Sequence, residues 1–88
     1  MRYAQVSEVY EPIEVITFFH DGRLIPLRFR WNGRVYRVAK VCSSWTESRG
    51  KDCLNHFSIY TRESSDFFEL TFDNQSFSWL LARTASSG

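Results

Sequence analysis

Leu27-Arg28-Phe29-Arg30-Trp31-Asn32-Gly33-Arg34-Val35-Tyr36-Arg37-Val38 is the stretch that decides the fold. Large apolar residues alternate with polar ones on both sides of an Asn-Gly pair, the period of a strand with one buried face. Asn-Gly favours positive φ at both central positions of a two-residue type I′ turn, whose twist matches that of the strands it joins. With Asn32 and Gly33 in the turn, Trp31 faces Arg34, Phe29 faces Tyr36 and Leu27 faces Val38. Leu27, Phe29, Trp31, Tyr36 and Val38 then share one face. The other face carries Arg28, Arg30, Val35, Arg37 and Ala39, with Arg28 directly across from Arg37, a like-charge pairing that costs stability unless an anion answers it.

Outward from this hairpin the β signal continues. Ile13 to Phe19 is β-branched and aromatic, and Asp21-Gly22 supplies a second tight turn before Leu24 to Trp31. His56 to Arg62, Phe67 to Phe72 and Phe77 to Ala82 read as further strands, separated by the turn material Glu63-Ser64-Ser65-Asp66 and Asp73-Asn74-Gln75-Ser76. Tyr3 to Tyr10 alternates loosely, and Pro12 breaks or edges any strand there because it lacks a ladder donor. Ser43 to Leu54 is polar, contains Gly50 and keeps no sustained period, so it reads as a long loop that holds Trp45. Thr84 to Gly88 reads as a frayed tail.

Composition agrees with this pattern. Val, Ile, Thr, Phe, Tyr and Trp make up 30 of the 88 residues, so helix is expected to be scarce. The expectation is one all-β domain over residues 1–88, with an ordered core at about 11–82 and a tail at 83–88. Six strands at short spacing imply a small antiparallel meander, as a strongly curved sheet or an SH3-like barrel. No apolar run approaches the ~18 residues of a membrane span, and the N-terminal residues Arg2, Glu8, Glu11 and Glu14 do not read as a signal peptide, so a cytoplasmic protein is expected.

The series Glu11-Pro12-Ile13, Pro26-x-x-Phe29-x-Trp31-x-Gly33-Arg34-x-Tyr36-x-Val38-x-x-Val41-x-x-x-Trp45, Phe57-x-Ile59, Phe68-Glu69-Leu70-x-x-Asp73 and Trp79-x-Leu81 resembles a small all-β bacterial domain of unknown function. That family occurs as stand-alone proteins and as the C-terminal tail of inactive Y-family DNA polymerase paralogues. The resemblance spans about residues 11 to 82 and rests most on the Trp-x-Gly-Arg-x-Tyr centre. It implies a fold and a DNA-repair association but no mechanism, and the Ser-rich stretch 43–50 departs from the family pattern.

Net charge is close to zero, with 11 Lys and Arg against 10 Asp and Glu. The distribution is uneven: Arg23, Arg28, Arg30, Arg34, Arg37 and Lys40 fall in a stretch, 23–40, that contains no acid. Arginine forks bind phosphate and stack on bases, so Arg28, Arg30, Arg37 and Lys40 are candidate nucleic-acid contacts. The competing reading pairs these arginines with Glu63, Asp66, Glu69 and Asp73 across the sheet. Trp45 either covers the open end of the core or stands exposed as the anchor of a protein partner.

Cys53-x-x-His56 has metal-ligand spacing, and Cys42 with His20 could complete a set of four, but a zinc knuckle needs two tight pairs and only one is present. No metal or cofactor is expected, and both thiols are expected to be free. Ser43, Ser44, Asp52 and His56 lack the oxyanion loop of a hydrolase, and there is no phosphate-binding glycine motif, so no catalytic residue and no small-molecule substrate is assigned. The function expected is a non-enzymatic interaction module binding an unknown protein partner. Nucleic-acid binding through the arginine face is the alternative, and a zinc module the remote one.

Overall fold

A computed structural model describes residues 3–87. Six antiparallel strands follow one another in sequence order and close into a barrel: β1 (Tyr3–His20), β2 (Arg23–Trp31), β3 (Arg34–Arg49), β4 (Asp52–Thr61), β5 (Phe67–Asp73) and β6 (Ser78–Ser87). Among the described residues there is no helix, hence none long and apolar enough to cross a membrane.

The two longest strands each serve two neighbours. β1 pairs with β6 from Tyr3 to Ile13 and with β2 from Glu14 to His20, while β3 pairs with β2 over Arg34–Arg37 and with β4 over Val38–Arg49. A short ladder of β1, β2 and β3 therefore folds over a longer one in which β4, β5 and β6 lie between β3 and β1. The core sits between them and is mostly aromatic: Phe29, Tyr36, Phe57, Ile59, Phe68, Leu70, Phe72, Trp79 and Leu81, with Trp31 and Val38 packed against it. Phe29 stacks on Tyr36 with centroids 5.1 Å apart and meets Phe68 edge-on at 5.3 Å, so a few large rings fill a small interior.

The central hairpin has the expected register, with Arg28 facing Arg37, Phe29 facing Tyr36 and Trp31 facing Arg34. Asn32 and Gly33 have φ of 52° and 73°, as a type I′ turn requires, and Asp21 and Gly22 repeat the pattern.

Leu27 departs from expectation. It does not face Val38, which pairs with Thr61 instead, and its side chain is exposed. The register against β1 jumps from Ile16–Arg28 to Thr17–Pro26, so Leu27 is the extra residue of a β-bulge. The bulge reverses the alternation: Pro26 becomes a fully buried side chain and Leu27 turns outward beside Arg28.

Of the two alternatives Pro12 takes the edge: it does not interrupt β1 but faces Leu80 on β6, and among the described residues the opposite edge of that part of β1 has no ladder to satisfy. Two other readings need correction. Ser43 to Leu54 is not a loop but the outer part of a β3–β4 hairpin, turning at Gly50-Lys51 with Gly50 at φ 60°. Ala39 and Cys42 interrupt its register as bulges, and much of β3 beyond Val38 is exposed, which erases a period of two. The segment 83–87 is the end of a paired strand rather than a frayed tail, with Ala85 buried between β5 and β1; Gly88 lies outside the described residues.

Candidate functional site

The outer face of the short ladder brings together most of the basic residues singled out in the sequence. Cross-strand partners share a face, so Glu14, Arg30 and Val35 form one row and Ile16, Arg28 and Arg37 the next, followed by Phe18 and Ile25. Rows are separated by roughly 7 Å, two residues along a strand. Apolar side chains flank Arg28 and Arg30 on this face and lie open: Ile16, Phe18, Leu27 and Val35 are 53%, 49%, 46% and 45% exposed. A cleft lined by Glu14, Ile16, Arg28, Arg30 and Val35 lies across it, with Val15 and Phe29 at its base.

The arginines here differ in how they are answered. Arg37 is held by Glu63, whose Oε1 accepts from the Arg37 backbone N–H and whose Oε2 accepts from Nε–H, both at 2.7 Å. The backbone bond first and the guanidinium second hold the Glu63 carboxyl below its ordinary range. Arg30 lies 3.8 Å from Glu14, with both side chains well exposed, a pairing of small energetic weight. Arg28 makes no ion pair among the described residues. Lys40, the fourth candidate, is exposed beyond the short ladder, on the part of β3 that faces Tyr60.

On the longer ladder Glu8, Glu69 and Arg83 satisfy one another. Glu69, a buried acid, accepts from Arg83 Nη1 at 2.8 Å, and Arg83 also donates to Glu8 at 3.1 Å and to the Tyr10 hydroxyl at 2.9 Å. These partners, Glu8 first, hold the guanidinium still more firmly protonated against the cost of its partial burial. Glu69 thus answers Arg83 rather than the arginines of the short ladder. Asp73 accepts from Gln75 N–H at 2.8 Å within its own turn.

Trp45 lies on β3, stacked on His56 with centroids 5.2 Å apart, and remains partly exposed. His56 Nε2 lies 3.0 Å from Glu47, and Nδ1 lies 3.0 Å from the Thr71 hydroxyl. Glu47 titrates below its ordinary value, because of Arg49 first and His56 second. Hydroxyl, imidazole and carboxylate are spaced as in a hydrolytic triad, with Thr71 buried. Ser43, Ser44 and Asp52 are not the partners of this histidine.

The zinc set is not assembled. Cys53 and His56 are three apart on an extended strand and so point to opposite faces, while His20 sits at a hairpin end with Asp21. Among the described residues no group of three metal-binding side chains comes together. Both cysteines are free thiols. Cys53 faces Ser48 whereas Cys42 lies beyond the Ser43–Ser58 pair, so about 16 Å of ladder separates them, well outside disulfide range.

The outward-turned Leu27 is the feature sequence reasoning missed, since nothing in simple alternation announces the bulge at Pro26. Over residues 3–86 the chain matches the model of a family described as a domain of unknown function, DUF6504. No curated protein and no solved structure matches it.

Proposed function

The chain belongs to the DUF6504 family, and we propose that it is a non-enzymatic, cytoplasmic protein-binding module whose docking face is the outer side of the β1–β2–β3 ladder. The observation that carries this reading is the cluster of four exposed apolar side chains, Ile16, Phe18, Leu27 and Val35, gathered on one sheet face by register and by the bulge. Exposed apolar side chains gathered on one face, with arginines interleaved among them, are what protein partners cover. A nucleic-acid strand is a poorer fit. Three of these four side chains are aliphatic and offer no stacking plane, and Arg30 and Arg37 already face carboxylates. The polymerase-tail association implied by the family resemblance accords with a module that recruits another protein.

The test is a photo-crosslinking residue placed at Val35, with a control at Ser65 in the exposed β4–β5 turn, expressed in cells that make the protein. A discrete protein adduct at Val35, absent from the control and lost on Ile16→Asp, is the expected result. Equal adducts from both positions, or adducts indifferent to Ile16→Asp, overturn it.

A further inference from the structure

Building on that docking reading, we infer that the partner presents a carboxylate flanked by apolar side chains, an acidic peptide segment whose acid seats on Arg28. The face is not uniformly basic, and the difference among its arginines selects the partner. Arg37 is engaged by Glu63 through both carboxylate oxygens, and Arg30 lies beside Glu14. Arg28 lies between them, across from Arg37 and Ile16 and next to Leu27 in the chain, without an ion pair among the described residues.

Its guanidinium therefore belongs to a cleft shared with Ile16 and Val35, with Arg37 across the strand and with Arg30 beside it already facing Glu14. Covering this face with an uncharged surface would desolvate Arg28 without compensation, which is strongly unfavourable. A carboxylate supplies the missing partner with bidentate geometry and relieves the Arg28–Arg37 juxtaposition. Apolar residues on either side of the acid reach Ile16 and Phe18 on one flank and Val35 on the other. Leu27 and Arg28 both project from the bulge, so one contact apolar and one ionic are presented by adjacent residues.

A random dodecapeptide display library selected against the folded protein tests this, with Val35→Asp and Arg28→Glu as counter-selections and circular dichroism to confirm that both variants fold. Selected peptides are expected to carry Asp or Glu between apolar residues and to lose binding to Val35→Asp. They should bind Arg28→Glu at least tenfold more weakly, while selection on that variant should favour Lys or Arg at the acid's position. Peptides that need Val35 but show no acidic preference, and bind Arg28→Glu unchanged, overturn the inference and leave the docking face standing. Peptides indifferent to Val35→Asp, or none at all, overturn both. In a parallel titration at about 50 mM salt, where electrostatic association is strongest, labelled single-stranded DNA that binds wild type and not Arg28→Glu assigns the face to nucleic acid and overturns both as well.

Discussion

Gly33 has φ 73° and, beyond its own chain neighbours, no atom within 4 Å of where a Cβ would stand, so the cost of any other side chain there is conformational and not a clash with the rest of the fold. Gly33→Val should lower stability by about 1 kcal/mol or more, because a β-branched residue strongly resists the left-handed region. Urea unfolding of the variant measures this, and an unchanged midpoint would remove the type I′ turn from the account. The same residue shows why the inner part of this hairpin is legible: turn chemistry and alternation both lie within residues 28–37, so local rules suffice there. Leu27 was not legible for the opposite reason. Its direction depends on a one-residue offset between β1 and β2, and such an offset is a property of two strands together.

Among the elements, β3 shows best how context decides. Its first residues alternate cleanly because one side is core. From Ala39 onward the strand is largely exposed and twice bulged, so its composition resembles a loop even though, apart from the bulged Ala39 and Cys42, it pairs with β4 as far as Arg49. Glu63 secures the point where β3 leaves β2 and joins β4, for it binds the Arg37 N–H while the Arg37 carbonyl accepts from Arg62 N–H at 2.9 Å. A carboxyl whose folded pKa is depressed contributes stability above its unfolded value and loses it as pH falls through the folded one. Glu63→Gln should therefore be less stable than wild type at neutral pH, and the two should converge on the acid side of the ordinary carboxylate range. Thermal unfolding of both proteins between about pH 2 and 7 checks this; a gap that stays constant across the series would show that the charge of Glu63 has no part in it. The candidate site was half legible at this scale. The basic side of the hairpin could be read from alternation, whereas which arginine stays unanswered depends on acids more than a dozen residues away.

At the scale of the whole molecule, closure of the barrel is a contact between the two ends of the sequence. Glu8 and Arg83 are paired across nearly the full length of the chain, and Tyr3 faces Ser87. The last residues look loose from composition because this polar segment is ordered by partners that are distant in sequence. Cross-strand neighbours in an antiparallel ladder have Cα atoms about 5 Å apart, so a linker of a few residues spans the two ends without strain. The order of the strands along the gene is therefore not dictated by the architecture. A circular permutant in which 87 is joined back to 3 through a short Gly-Ser bridge, with new ends opened at the exposed Gly50-Lys51 turn, should fold to the same barrel and give the same near-ultraviolet circular dichroism as the parent. If it fails to do so, the β3–β4 turn is needed to start assembly. If it succeeds, the domain can be spliced as a cassette into a surface loop of another protein, entering and leaving its host at a single point.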